Sequence, residues 1–178
     1  MEKKDLLKDV IKHIDIKSYN STELVDAMRN MSFTSRDTAR AADILMMMCK
    51  EKECTNILTL AGSTSAAGCM QVYVDMVRNK MIDVVVATGA SIIDMDLFEA
   101  LGYKHYIGEK ENVIPDTTLR DLYIDRIYDT YIDEEELQAC DHSTYELANM
   151  LEARPYSSRE FIYEIGKWLH NGKAVKKD

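Results

Sequence analysis

Two short segments combine glycine with hydroxyl-bearing residues, and they are the part of the sequence whose residue types most favour ligand binding. The first is Gly62-Ser63-Thr64-Ser65 and the second is Thr88-Gly89-Ala90-Ser91. Glycine lets a ligand approach the backbone closely, and the free N–H groups at a helix N-terminus favour an anion such as a phosphate. The segments therefore suggest a nucleotide-sized anion. Gly62-x5-Gly68 matches neither G-x-G-x-x-G nor the P-loop pattern, so tight turns between strand and helix are an equal alternative.

Other reactive side chains lack the spacing that catalysis or metal binding requires. Asp94 and Asp96 follow the second segment, where they either orient a cationic amine or cap the next helix. The cysteines and histidines show neither C-x-x-C nor H-x3-H spacing and no pairing of nucleophile with base, so no metal site, disulfide or catalytic residue is predicted. These residues are Cys49, Cys54, Cys69, Cys140, His13, His105, His142 and His170.

The composition indicates a globular, acidic chain. It has 178 residues, 46% hydrophobic residues and a net charge of −9. A nucleic-acid-coating surface needs clustered Lys and Arg, so the excess negative charge excludes nucleic acid as a partner. A cationic small molecule or a basic partner fits this charge better. The alternative is that the negative charge serves solubility alone. No run approaches the ~20 apolar residues of a membrane span, and the first residues are too charged for a signal peptide. A cytoplasmic protein without a membrane partner is predicted.

The elements that must position these segments follow from apolar periodicity. Residues 56–61 and 82–87 are apolar runs typical of buried strands, and each is followed by a glycine-bearing loop and a helical stretch. This alternation predicts βαβ units with a parallel sheet. Residues 126–132 alternate as a third strand, whereas Tyr106-Ile107 is too short to assign. Helices are predicted over 6–14, from Asn20 through Met31, over 35–52, 66–80 and 94–101, from Asp133 toward Leu151 with a break near 140–142, and from Ser157 through Leu169.

Three longer runs resemble the deoxyhypusine synthase family. They are LTLAGSTSAAG at 58–68, KMIDVVVATGASIIDMDLFEALGYKHYIG at 80–108 and LRDLYIDRIYDTYIDEEEL at 119–137. The resemblance is closest to the bacterial and archaeal deoxyhypusine synthase-like branch and extends in order from about Phe33 to Trp168. It implies a Rossmann-like three-layer α/β fold with a mostly parallel sheet, incomplete in this chain, and a tetramer with active sites at subunit interfaces.

The same resemblance implies the chemistry. Family members oxidise spermidine with NAD, carry its aminobutyl group as an imine on an enzyme lysine, and deliver it to a lysine of a translation factor during hypusine biosynthesis; bacterial members use other amines as well. By position, an acidic pair near the polyamine corresponds to Asp94 and Met95, so one carboxylate of that pair is kept. The residues that correspond to the NAD-binding loops are Gly62, Ser63, Thr64, Ser65, Ala66, Thr88, Gly89 and Ala90.

The chain departs from the family in length. Members are roughly twice as long, and their second half carries the imine-forming lysine. Lys173, Lys176 and Lys177 lack apolar surroundings that would lower a lysine pKa, so none is a substitute. We therefore predict a helical segment at 1–32, the first half of an NAD-binding domain at 33–172 and a polar tail at 173–178.

The predicted function is a split subunit or N-terminal half of an NAD-dependent aminoalkyl transferase. It would be inactive without a complementary C-terminal half or family subunits, in a homo- or hetero-tetramer. The alternatives are a non-catalytic regulatory or assembly relative and a plain nucleotide-binding module.

Overall fold

A computed structural model describes residues 1–108 and 114–173 of the chain. The chain divides into two compact units. Unit 1 contains Met1–Lys12, Ala61–Gly68 and the chain from Thr88 on, and unit 2 contains His13–Leu60 and Cys69–Ala87. Among the described residues, no helix is both long and apolar enough to cross a membrane.

Unit 2 holds the predicted parallel strands. Strands β1 and β2 pair in parallel, with Ile57 beside Val84 and Leu60 beside Ala87. The two strand predictions at 56–61 and 82–87 and their parallel pairing are thus confirmed. The elements of unit 2 are α2 (Thr22–Met28), α3 (Phe33–Lys50), β1 (Ile57–Leu60), α4 (Met70–Arg78) and β2 (Val84–Ala87).

Unit 1 contains a three-stranded antiparallel sheet in the order β3-β5-β4. A segment with π-helical hydrogen bonding, Ala90–Leu97, leads into α5. The α/β class is confirmed, and the β1–β2 pair is compatible with an incomplete Rossmann-like sheet. The regular elements of this unit are α1 (Lys3–Leu6), α5 (Phe98–Ala100), β3 (His105–Ile107), α6 (Asp116–Asp121), β4 (Ile124–Ile127), β5 (Thr130–Asp133), α7 (Glu134–Met150) and α8 (Ser158–Trp168).

The single strand predicted at 126–132 is wrong. The chain reverses between β4 and β5 at Tyr128 and Asp129, and the two strands pair antiparallel. Tyr128 adopts a φ of 54°, a conformation in which Gly or Asn is usually found at turns. Ile127 and Thr130 are register partners and share a face, so the alternation of side chains changes phase across the turn. The predicted run contains only two or three residues on each side of the turn, too few for the sequence pattern to show that change.

The helix predicted at 6–14 is also wrong, because the observed helix overlaps that range only at Leu6. Helix α1 ends at Leu6, and the following residues are extended along the free edge of β3. The Ile11 N–H donates to the His105 carbonyl at 2.8 Å, and the Ile107 N–H donates to the Asp9 carbonyl at 2.7 Å. Hydrogen bonds to a distant strand have overridden a local helical pattern that was only about two turns long.

Helix α7 is continuous from Glu134 to Met150, so the break considered near 140–142 is absent. Its N-cap is Asp133, as the acidic run predicts: Oδ1 of Asp133 accepts from the Glu135 N–H at 2.9 Å and from the Glu136 N–H at 3.3 Å. The same oxygen lies 2.7 Å from the Lys3 ammonium, which attaches α1 to the start of α7. Helix α8 begins with the predicted capping box of Ser157 and Glu160.

The main apolar cluster of unit 1 joins α5, β5, α7 and α8. Phe98 and Cys140 at its centre have no solvent exposure, and Trp168 packs against its edge. This cluster packs Ala90–Leu97 against α7, and that segment begins with Ala90 and Ser91 of the second glycine loop. The buried members are Leu97, Phe98, Leu101, Ile132, Cys140, Leu147 and Ile165.

Candidate functional site

Both glycine-bearing loops start where a strand of the parallel pair ends. Leu60 and Ala87, the last residues of β1 and β2, are register partners, and the loops follow them directly in sequence. Both loops belong to unit 1. The carboxyl ends of adjacent parallel strands are where open α/β sheets bind ligands.

The first loop uses its glycines in two different ways. Gly62 has a φ of 71°, and nothing lies within 4 Å of the position that a Cβ would occupy. Gly68 has a φ of 96°, and a Cβ there would lie 2.9 Å from the Lys12 carbonyl oxygen. Ser65 and Ala66 between them are buried. Gly68 is therefore required by packing, whereas Gly62 leaves open space beside an exposed backbone.

The second loop begins a helical turn. The Thr88 hydroxyl accepts from the Ser91 N–H at 3.3 Å and lies 3.1 Å from the Ser91 hydroxyl. Gly89 has a φ of −56°, which any residue adopts, and no atom lies within 4 Å of its Cβ position. Thr88, Gly89 and Ala90 are all exposed. The backbone here does not need a glycine, and the missing side chain leaves the loop open to close approach.

A cavity of about 210 Å³ lies beside the first loop within unit 1. Its walls are Ser63, Thr64, Ala66 and Ala67 on one side and the β4–β5 turn, Ile127–Thr130, on the other. Drug-sized ligands occupy pockets of about 300–1,000 Å³, so this cavity suits one part of a dinucleotide. Thr88, Gly89 and Ala90 are not among its lining residues. The turn was missed by the sequence prediction because it lay inside the supposed third strand.

Asp94 is half-buried on the segment that follows the second loop. Burial raises the pKa of its carboxyl above the usual value, and the negative charge of Asp141 on α7 raises it further. Met95, at the position of the second family carboxylate, is 5% exposed and belongs to the core. The structure thus gives Asp94 a different acidic neighbour, Asp141. The sequence contains no signal for this pairing, because the two residues come from separate elements.

Cys140 lies next to this acidic pair and is unsuited to nucleophilic chemistry. Its thiol donates to the Ile93 carbonyl at 3.4 Å. Burial raises its pKa to about 12, with smaller contributions from the charges of Asp141 and Asp94. The side chain therefore remains a neutral thiol that joins α7 to the segment carrying Asp94.

A second, larger groove of about 1090 Å³ in unit 1 is lined by α6, β4 and the start of α7. One of its two arginines, Arg126, is paired with Asp116 at 2.6 Å. A hydrogen bond joins the carboxyl groups of Asp125 and Glu134, and it raises the pKa of Asp125 to about 6 and lowers that of Glu134. Within residues 1–108 and 114–173, no three His, Cys, Asp or Glu side chains are grouped so that they could hold a metal ion.

Comparison with known proteins gives a consistent family. Residues 23–177 match the family model for deoxyhypusine synthase. The chain is 63% identical over 175 residues to a deoxyhypusine synthase-like protein of Caulobacter vibrioides, covering 98% of this chain and 47% of that protein. A deoxyhypusine synthase-like protein of Coxiella burnetii is 58% identical over 176 residues, covering 99% and 49%. A probable deoxyhypusine synthase 2 of Methanosarcina acetivorans is 37% identical, covering 92% and 46%. The chain spans about half the length of these curated relatives, corresponding to their N-terminal half.

Proposed function

Since the chain belongs to the deoxyhypusine synthase family, we propose that it is the NAD-binding half of an NAD-dependent aminoalkyl transferase that acts on spermidine or a related amine. The observation that carries this proposal is the pair of open glycine loops that follow the paired strands β1 and β2. At both Gly62 and Gly89 no atom lies within 4 Å of the position that a Cβ would occupy. Family membership supports transferase activity in hypusine biosynthesis, and the loops supply the place for the cofactor.

The residues of the two loops fit a dinucleotide in part. Exposed backbone at Thr88–Ala90 suits a phosphate group, because N–H groups at the start of a helical turn are unpaired. The cavity beside Ser63, Thr64 and Ala66 suits one end of the molecule. NAD bound here would accept a hydride from the amine, while these residues bind and orient it. The remainder of the cofactor surface belongs, on this proposal, to the second half of the family sequence.

Asp94 and Asp141 are proposed as the anionic contact for the amine. Burial and, to a smaller extent, the negative charge of Asp141 raise the pKa of Asp94, and a bound ammonium group would offset that negative charge. The net charge of −9 also favours a cationic substrate. The acceptor, by family analogy, is a lysine of a translation factor.

The chain is proposed to act in the cytoplasm as part of a larger assembly. The relatives are about twice as long, so the transfer step needs groups that lie in their second half. A tetramer of family subunits, or of this chain with a complementary half, supplies them.

Calorimetric titration tests the cofactor role. NAD is titrated into the chain alone and into the chain co-expressed with the polypeptide that forms the remaining half of the Caulobacter vibrioides relative. We expect saturable binding by the complex. Absence of binding in both samples would reject the cofactor role and favour the non-catalytic assembly relative.

The amine contact is tested with spermidine on the same complex. Asp94→Asn and Asp141→Asn should each weaken binding by about 10- to 100-fold, the value of one hydrogen bond to a charged group. Glu146→Gln, an exposed acidic residue on the same helix as Asp141, is the matched control and should leave binding unchanged. Equal effects of all three variants would show that only overall charge matters, and the Asp94–Asp141 contact would be rejected.

A further inference from the structure

One face of the β1–β2 pair is apolar and exposed. Residues that are partners in a parallel register point to the same side, so Ile57, Thr59, Val84 and Val86 share a face. Ile57 is 56% exposed, Val84 41% and Val86 54%. On the opposite face Leu58, Leu60 and Ala87 are half-buried, whereas Val85, the register partner of Leu58, is 42% exposed. We call the exposed set, Ile57, Thr59, Val84 and Val86, the apolar sheet face.

Exposure of this kind is unusual for parallel strands. Parallel sheets occur almost entirely with both faces covered, because their crossover connections place helices on each side. Exposed parallel strands with β-branched apolar residues also carry an aggregation risk. The apolar sheet face is therefore incomplete without a further covering layer.

The size of the face limits what can cover it. Two paired strands of four residues present an area of about 13 Å by 10 Å. A stable association between two proteins buries about 800 Å² on each partner, so this face does not hold a second copy by itself. Whatever covers the face, a second copy or another polypeptide, must therefore do so as part of a larger contact.

The relatives contain such a polypeptide. The matched region covers 47% of the Caulobacter vibrioides protein and 49% of the Coxiella burnetii protein, which leaves in each a segment about as long as this chain. We infer that the apolar sheet face is the docking surface for that second half of the family sequence, which covers Ile57, Val84 and Val86 with an apolar surface of its own. The inference rests on the part of the proposed function that pairs the chain with a second half, and it needs neither NAD nor an amine.

The test is an assembly measurement. The chain is co-expressed with the second half of the Caulobacter vibrioides protein carrying an affinity tag, and the purified complex is measured by native mass spectrometry and by dilution. Val86→Asp should weaken the complex at least tenfold, because it places a charge in an apolar contact. Val77→Asp on α4 is the matched control: Val77 is the same residue type in the same unit with the same 54% exposure, and its variant should assemble normally.

A second measurement keeps the inference testable if Val86→Asp disturbs folding. Hydrogen exchange of the unmodified chain, alone and in the complex, should show new protection of the peptides containing β1 and β2. The inference is overturned if these peptides exchange equally in both samples. It is also overturned if Val77→Asp and Val86→Asp weaken assembly equally, or if the chain alone forms a dimer that Val86→Asp abolishes.

These outcomes are distinct from those of the NAD titration. Loss of assembly in Val86→Asp, without NAD binding by the unmodified complex, would support the docking surface and reject the cofactor role. Normal assembly of Val86→Asp with NAD binding intact would reject the docking surface and support the cofactor role.

Discussion

Two glycines of the loops, Gly68 and Gly89, should respond in opposite ways to substitution, and this contrast tests the assignment of the second loop to ligand binding. At Gly89 the φ of −56° and the empty Cβ position mean that a side chain costs the fold nothing. Gly89→Ala should leave the free energy of unfolding unchanged or raise it by about 0.4–1 kcal/mol, because the unfolded chain loses conformational freedom. The Gly89→Val variant should also fold, and its valine side chain should block the approach of NAD to the backbone.

Gly68 shows how much stability should be lost when a glycine that the backbone requires is replaced. A side chain at its φ of 96° is strained by about 1–3 kcal/mol, and its Cβ would lie 2.9 Å from the Lys12 carbonyl oxygen, which must then move. We expect Gly68→Ala to lower the free energy of unfolding by about 2–4 kcal/mol, the strain together with the steric contact.

Urea denaturation followed by circular dichroism, with calorimetric titration of NAD into the complex with the second half, measures both effects. The expected result is a stable Gly89→Val variant that no longer binds NAD, beside a destabilised Gly68→Ala variant. The reasoning would be refuted if Gly89→Val lost as much stability as Gly68→Ala. It would be refuted equally if Gly89→Val folded normally and bound NAD as tightly as the unmodified chain.

Three further predictions concern single side chains of unit 1. The folded-state pKa of Asp125, about 6, lies above its usual 3.8 because of its hydrogen bond to Glu134. The protonated Asp125 carboxyl therefore stabilises the fold fully at low pH, and this contribution is lost as pH rises from about 4 to 6. Asp125→Asn should flatten the dependence of the urea midpoint on pH in that window. Asp133→Ala removes the cap of α7 and should cost about 1–2 kcal/mol in urea denaturation, whereas Asp133→Asn, which keeps a capping oxygen, should cost less; equal losses would argue against the cap. Iodoacetamide should modify the exposed Cys49 of the native chain and leave the buried Cys140 unmodified, as measured by mass spectrometry of peptides from both sites. Modification of Cys140 in the native chain would contradict this prediction.

The elements that the sequence predicted well are those with strong local signals. Residues 56–61 and 82–87 are short apolar runs rich in β-branched residues and followed by glycine, and both form strands. The cap at Asp133 and the capping box at Ser157 and Glu160 depend only on neighbours three residues away, so sequence spacing was enough to find them.

The elements that were missed depend on distant partners. Residues 9–11 are extended because β3 offers free hydrogen-bonding groups, and the turn at Tyr128 depends on a backbone conformation that tyrosine rarely adopts. In the site, the sequence indicated both glycine loops and Asp94, but it could neither separate the packing role of Gly68 from the open position of Gly89 nor bring Asp141 to Asp94. Each of these features depends on how residues from different elements are positioned in space.

The contact between Lys3 and Asp133 also sets an order of events during synthesis. The two residues lie 130 positions apart, so at about 5–20 residues per second the nascent N-terminus waits on the order of ten seconds for its partner to be made. During that interval α1 and the segment 9–11 have no sheet to join. Residues 9–11 therefore cannot pair with β3, and Lys3 cannot reach Asp133, until those later residues have been synthesised.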